Sequence, residues 1–207
     1  MSTVIMDSCS YTKQGLITYL TSRGINSQNI SGVETIAELA DVCQNSSPRV
    51  VFINEDCFIH DIEHSHQVKK TINLNSKTLF LVFIAIDNAS FDAYLRVKHN
   101  LLISPKSIKP EFLDDILDSY LNRNIQCITD INLPVLTLSR TENCILKLWM
   151  AGQDTNEISK KMKIKPKTVS SHKGNIKRKI KTHNKKVIFH VTRLAENVTN
   201  GIVVNLN

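Results

Sequence analysis

Short apolar runs alternate with amphipathic stretches along the first part of this 207-residue chain. The apolar runs are mostly β-branched and predict buried strands, because a strand covered on both faces carries few polar side chains. Strands are predicted at 4–6, 50–53, 79–85 and 101–103, with a marginal one at 30–33. Helices are predicted at 12–23, 35–44, 91–98 and 110–122, with a weaker one at 65–73. This alternation favours a parallel sheet with helices on both faces.

The last third of the chain shows helical periodicity alone. One helix is predicted from Thr141 to a stop at Gly152, and its inward residues are Ile145, Leu148 and Trp149. A short helix at 155–162 is joined by a tight turn to a second helix that begins at Lys165 or Pro166, since proline suits the first helical position. This is the pattern of a helix-turn-helix, with the second helix as the reading helix.

The helix that begins near Pro166 has two unlike faces. Its packing face carries Val169, His172, Lys173, Ile176 and Ile180. Its other face is basic or small, and carries Lys167, Ser171, Gly174, Arg178 and Lys181. A last helix is predicted from Asn184 or Lys185, with apolar residues Val187, Ile188, Val191, Leu194 and Val198. We have no functional interpretation of the tail 201–207.

Charge divides the chain more sharply than hydrophobicity does. Residues 1–138 hold 11 Lys and Arg against 15 Asp and Glu, whereas residues 139–207 hold 15 against 4. Such an excess beneath a helix-turn-helix pattern indicates a polyanion-binding half and predicts salt-sensitive affinity.

The basic third also carries a recognisable motif. Its residues are Leu138 to Glu142, Gly152, Glu157, Ile158, Ile164, Lys167 to Val169, His172, Asn175, Ile176 and Lys179. At these spacings it resembles the LuxR/FixJ/NarL-type DNA-binding domain. The runs 167–185 and 51–61 extend the resemblance to the capsule-synthesis regulators of enteric bacteria. One departure is Lys165, where the family often has a serine that caps the reading helix; its loss costs on the order of 1 kcal/mol.

The resemblance implies a receiver-like (flavodoxin-like) domain at 1–125, a linker at 126–137 and a LuxR-type four-helix domain at 138–200. It also implies an accessory activator of capsular exopolysaccharide genes, which binds double-stranded DNA as a heterodimer with the response regulator RcsB. A homodimeric response regulator stays open, because the last helix could serve as a dimer contact or pack under the reading helix. The predicted DNA-binding residues are Lys167, Thr168, Ser170, Ser171, Lys173, Gly174, Asn175, Lys177, Arg178 and Lys181. Arg178 is the candidate for a guanine contact, whereas Lys177 and Lys181 point toward phosphates.

A phosphorylated receiver needs paired acids after its first strand, an aspartate after the third, a hydroxyl after the fourth and a lysine after the fifth. Here these positions hold Asp7-Ser8, Asn54, Ala85 and Lys106. One acid is too few for the Mg²⁺ that phosphoryl transfer requires. Asp7 is interpreted instead as a cap of the first strand–helix turn, and Asp56 stays a weak alternative acceptor. Phosphorylation is therefore not the expected switch.

A different class of function rests on the hydroxyl-rich segment 8–12, which loosely resembles the phosphate loop of a flavodoxin and suggests a flavin- or phosphate-binding protein. It lacks the glycine that opens such a loop. A group around Cys57, His60, Asp61, His64 and His66 could hold a metal, but it reads better as a polar surface loop. The five cysteines, at 9, 43, 57, 127 and 144, are interpreted as reduced and mostly as packing residues. We expect no catalytic site, no metal and no cofactor.

The longest apolar run, 79–86, is far shorter than the roughly 20 residues that cross a bilayer. The first residues carry no basic start and are interrupted by Asp7, so no signal peptide is predicted. A cytoplasmic protein, associated with the nucleoid when it is bound to DNA, is expected.

Overall fold

The computed structural model describes residues 2–84, 94–121 and 134–205. Within these ranges a six-stranded sheet has the order β2-β1-β3-β4-β6-β5. Neighbouring strands are parallel except β5, which is antiparallel to β6. The strands are β1 Thr3–Met6, β2 Ile30–Gly32, β3 Val50–Asn54, β4 Leu79–Ile84, β5 Leu95–Lys98 and β6 Leu101–Pro105. The strands predicted near 4, 30, 50, 79 and 101 are therefore all present, although Ala85 lies outside the described residues.

The helix predicted at 91–98 is wrong over 95–98, where the chain forms β5. Leu95 and Val97 are both buried beside β6. Apolar residues two positions apart suit a strand, and pairing with β6 satisfies their backbone groups, which outweighs a weak helical pattern. Residues 91–93 lie outside the described part of the chain.

Four helices cover the two faces of this sheet: α1 Ser10–Ser22, α2 Ile36–Ser46, α3 Ile62–Leu74 and α4 Pro110–Leu121. One buried cluster joins Leu20 and Ile116, from α1 and α4, to one face of the sheet. Leu39 and Ile72, from α2 and α3, are buried with the other face. Helix α3 begins three residues earlier than predicted, because the Asp61 carboxylate accepts a hydrogen bond from the His64 N–H and caps it.

The rest of the described chain forms four helices: α5 Arg140–Met150, α6 Thr155–Met162, α7 Pro166–Lys179 and α8 Lys185–Val198. A two-stranded parallel ladder pairs β7 Thr137–Ser139 with β8 Val203–Asn205. The ladder spans the predicted boundary between linker and C-terminal domain and the tail 201–207; no strand was predicted at either place, because three-residue strands leave too weak a pattern. Most of the linker predicted at 126–137 lies outside the described residues.

The two halves of the chain are packed together. The Leu136 N–H donates to the Arg96 carbonyl at 2.6 Å, which ties the start of the C-terminal helices to β5. Helix α8 packs on α3.

No helix of the described residues is long and apolar enough to cross a membrane.

Candidate nucleic-acid interface

The N-terminus of α5 is fixed by a reciprocal cap. The Ser139 hydroxyl accepts from the Glu142 N–H at 3.1 Å, and the Glu142 carboxylate accepts from the Ser139 N–H at 2.8 Å. The same carboxylate lies 2.6 Å from Nζ of Lys179, the last residue of α7. Glu142 therefore anchors the end of the reading helix to the helix beneath it.

Burial raises the pKa of Glu142. The Lys179 ammonium, the Ser139 N–H and the electrostatic effect of His172 together lower this pKa by more, so it lies below its ordinary value. The carboxylate is thus ionised in the folded domain at neutral pH.

Helices α6 and α7 form the predicted helix-turn-helix. Asp154 caps α6 through the N–H groups of Asn156 and Glu157. Lys163 ends it with a φ of 54°, in the left-handed region. The Ser159 hydroxyl donates to the Ile164 carbonyl at 2.6 Å and holds the turn. Helix α7 begins at Pro166, as predicted, and Lys165 makes no side-chain cap.

The packing face of α7 has the predicted composition. Val169, Ile176 and Ile180 have no exposed surface. Trp149, 8% exposed, contacts Phe189 edge to face with ring centroids 5.5 Å apart, which confirms it as a core residue. The apolar residues predicted for α8 are all buried.

Lys173 lies beneath the reading face. Its Nζ donates to the Thr155 hydroxyl at 3.1 Å and lies 5.1 Å from the centroid of the Trp149 ring. Desolvation, followed by the charge of Lys185, lowers the pKa of Lys173. Lys173 was predicted to contact DNA, but its side chain is held by residues of the C-terminal domain itself.

The other face of α7 is open to solvent. Its exposed predicted contacts are Lys167, Thr168, Ser170, Ser171 and Arg178, and the partly exposed ones are Gly174, Asn175 and Lys177. The Arg178 guanidinium donates to the Asn175 side-chain oxygen at 2.5 Å. Lys167, Ser171, Gly174 and Arg178 share this face of α7, as the helical wheel predicted.

Lys181 is the exception to the wheel. Helix α7 ends at Lys179, and Lys181 has a φ of 58°, so it lies beyond the helix. It is exposed, and its Nζ lies 5.5 Å from the ring centroid of Tyr94 in the N-terminal half. The position predicted for it on the helix face is therefore wrong, because the chain turns before reaching it.

The carboxyl edge of the large sheet brings Asp7, Asn54 and Lys106 together, as the register argument predicted. The buried Asp7 carboxylate accepts from the Cys9 N–H at 2.8 Å and from the Asn54 side-chain amide at 3.2 Å. Lys106 Nζ lies 3.0 Å from its other oxygen. Asp7 caps the first strand–helix turn, as interpreted from the sequence, and is also paired with the lysine.

Glu55 follows Asn54 in a short 3₁₀ turn, Glu55–Cys57. Its side chain is 4% exposed, and Oε2 lies 2.6 Å from Nε2 of His190 in α8. Sequence reasoning missed this contact, because 135 residues separate the two groups and neither belongs to a motif.

Among the described residues, no group of three or more His, Cys, Asp and Glu side chains is arranged to hold a metal. Asp61 caps α3, and His64 and His66 lie on that helix and not on a loop. Cys9 and Cys144 are exposed free thiols, whereas burial raises the pKa of Cys43 to about 11. Cys127 lies outside the described residues.

Comparison with known proteins gives the same two parts. Residues 2–129 match the family described as "Transcriptional regulator RcsA, N-terminal dimerisation domain". Residues 136–192 match "Bacterial regulatory proteins, luxR family". The chain is 60% identical to the transcriptional regulatory protein RcsA of Escherichia coli O157:H7 and 59% identical to that of Salmonella typhimurium, each over the whole of both chains.

Solved structures share the fold. A solved complex of the two-component response regulator RcsB with DNA matches this chain with a TM-score of 0.52 at 16% sequence identity. The match covers 96% of this chain and 99% of the RcsB chain. RcsB from Salmonella enterica serovar Typhimurium, bound to promoter P1flhDC with phosphomimetic BeF3⁻, also matches with a TM-score of 0.52. This match covers 94% of this chain and 98% of the RcsB chain. A receiver-like α/β domain followed by a LuxR-type helical domain is therefore confirmed. The chain belongs to the RcsA family of transcriptional regulators, which carry a LuxR-type DNA-binding domain and are not enzymes.

Proposed function

We propose that this regulator is an accessory activator of capsular exopolysaccharide genes that binds DNA as a heterodimer with RcsB and is not controlled by phosphorylation. It would act in the cytoplasm, at the nucleoid when bound. The division into 1–125, 126–137 and 138–200 belongs to the same proposal. The observation that carries it is the solvent-exposed polar and basic face of α7.

The proposed DNA contacts follow from chemistry at this face. Arg178 offers two parallel donors, which suit the two acceptors of guanine in the major groove. Lys167, Thr168, Ser170 and Ser171 lie near the start of α7, the part of a reading helix that contacts base edges. Lys177 and Lys181 supply charge for phosphates.

Gly174 and Asn175 complete the proposed surface. An added Cβ at Gly174 would meet no atom within 4 Å, so nothing in the described part of the chain requires a glycine there. Close approach of DNA supplies a reason for it. Asn175 accepts the hydrogen bond from Arg178 and can orient its guanidinium. Lys173 would reach a phosphate only after leaving Thr155.

Independence from phosphorylation is supported by the sheet edge. Asn54 stands where a receiver has its acceptor, and an amide forms no acyl phosphate. The neighbouring Asp56 is exposed and accepts weakly from the Asn54 amide at 3.4 Å. The buried Asp7 is already paired with Lys106, which leaves a metal ion one acid at most.

The partner is proposed from two considerations. One reading helix covers a half-site, so specific affinity calls for a second subunit about one helical turn away. The matching family description assigns dimerisation to the N-terminal domain, and the fold resembles RcsB. If phosphate does not switch this chain, control belongs to the partner or to the abundance of this chain.

Footprinting with purified proteins on a capsule-gene promoter tests the proposal. We expect weak protection by this chain alone and strong protection of an asymmetric site once RcsB is added. Strong protection of a symmetric site by this chain alone, unchanged by RcsB, would favour the homodimer and rule out the accessory role.

A further inference from the structure

The last helix is covered by the N-terminal half of its own chain. Helix α8 packs on α3, and Val68 and Ile72 of α3 belong to the same buried apolar cluster as Val187 and Val191 of α8. None of these four side chains is exposed. The reading face of α7 stays open in the same arrangement. The N-terminal domain therefore occupies a helix surface other than the one proposed to read DNA.

A polar contact closes this interface at the sheet edge. The nearly buried Glu55 carboxylate lies 2.6 Å from the His190 imidazole, whose side chain is 33% exposed. Charge-assisted hydrogen bonds of this length are among the stronger single contacts in proteins. Since Glu55 directly follows Asn54 at the degenerate acceptor position, the edge that would carry a phosphoryl group in a receiver is joined directly to α8.

A second contact involves a residue proposed to touch DNA. Lys181, just past α7, places its ammonium 5.5 Å from the Tyr94 ring centroid, within the range of a cation–π interaction. The same arrangement that covers α8 therefore also holds a cation that would otherwise be free to meet a phosphate.

We propose that Glu55 and His190 form a latch that keeps α8 on α3, and that the latch opens before α8 pairs with a second DNA-binding subunit. This rests on the proposed function, because it assigns the step at which the partner acts. A partner shifts the chain toward the open form only if it binds that form more tightly. Opening also releases Lys181 from Tyr94.

The latch is tested first without DNA or partner. Nitroxide labels are placed by Gln44→Cys on α2 and Lys160→Cys on α6, both exposed positions, after other reactive cysteines are replaced by serine. We expect the distance distribution to widen in Glu55→Gln and in His190→Gln, with the open population raised roughly tenfold or more, the scale of one charge-assisted hydrogen bond.

Matched controls separate the latch from general charge loss. Asp56→Asn changes the exposed neighbour of Glu55, and His183→Gln changes an exposed histidine of the C-terminal half. Both should give the wild-type distribution. If Glu55→Gln fails to fold, His190→Gln carries the test, since its side chain is partly in solvent. Wild-type distributions in folded latch variants overturn the latch.

Pairing is measured second, on promoter DNA titrated with the partner response regulator. The latch variants should form the specific complex at roughly tenfold lower partner concentration or less, in line with their larger open population. If the latch variants show wider label-to-label distances but need as much partner as wild type to form the specific complex, the latch does not control pairing. If wild type forms no specific complex at any partner concentration, the proposed function fails, while the distance measurement still decides the latch.

Discussion

The Lys106 ammonium lies 3.0 Å from a carboxylate oxygen of Asp7, and the Asn54 amide donates to the other oxygen of the same carboxylate at 3.2 Å. Three positions that serve phosphoryl transfer in a receiver thus contact one another inside this protein. Asp7 is buried, and Lys106 supplies the opposite charge beside it. The Asp7 carboxylate is thus engaged by polar groups that end or follow two other strands of the sheet.

Acetyl phosphate should therefore leave the protein unmodified. Intact-mass measurement after incubation with acetyl phosphate and Mg²⁺ should show no added phosphoryl group, and DNA affinity should not change. The exposed Asp56 is the alternative acceptor to check. A stoichiometric, acid-labile mass gain that disappears in Asp56→Asn contradicts the prediction.

Arg178→Ala should relax sequence selectivity. The variant loses two donors from an exposed position, so its fold should be retained. A bidentate contact to guanine discriminates by about 1–3 kcal/mol, so the preference for guanine at one position of the site should fall by about 5- to 150-fold. Binding to a library of site variants measures this. Identical specificity profiles for wild type and Arg178→Ala would contradict the predicted contact between Arg178 and guanine.

Lys181→Ala should weaken binding to every sequence alike. A phosphate contact carries no base information, so its loss should reduce the slope of log affinity against log salt by about one unit. The binding constant is measured at several salt concentrations on specific and random DNA. Lys161→Ala, on the exposed surface of α6, is a comparison for general charge loss. A change of selectivity with an unchanged salt slope contradicts the phosphate role.

The strands and the helix-turn-helix could be predicted because their signals are local. Apolar runs marked β1, β3 and β4, and Pro166 marked the start of α7. β5 was missed because its four residues are set by pairing with β6, a tertiary interaction that overrides a short periodic pattern. Lys181 was placed on a helix face because a helical wheel does not show where the helix ends.

The contacts between the two halves could not be predicted for a further reason. Glu55 and His190 lie far apart in sequence, and each is an ordinary residue of its own element. Only the packing of α8 on α3 brings them together. The candidate reading face, by contrast, is built from one helix and needed only the 3.6-residue period.

The Glu142 carboxylate should make the C-terminal domain sensitive to acid. Its folded pKa lies below the ordinary value of 4.5, so its contribution to stability is fully present above that value. The contribution is lost as pH falls through the lower folded pKa, when the carboxylate is protonated and the Lys179 pair is broken. Thermal melting of wild type and Glu142→Gln should differ at neutral pH and converge in strong acid. A difference that does not depend on pH contradicts the ion pair as its source.

Gly174→Ala should change the stability of the C-terminal domain and its affinity for DNA in opposite directions. Glycine inside an exposed helix costs about 1 kcal/mol relative to alanine, and an added Cβ meets no atom within 4 Å, so the variant should melt at higher temperature. If DNA approaches the α7 backbone at this position, the same methyl group should reduce specific affinity by about tenfold or more, because a tenfold loss needs only about 1.4 kcal/mol of steric cost. Asn197→Ala, at a partly exposed position in α8, is a control for helix stabilisation away from the reading face. A Gly174→Ala variant that is more stable and binds its site as tightly as wild type would place this position outside the DNA contact.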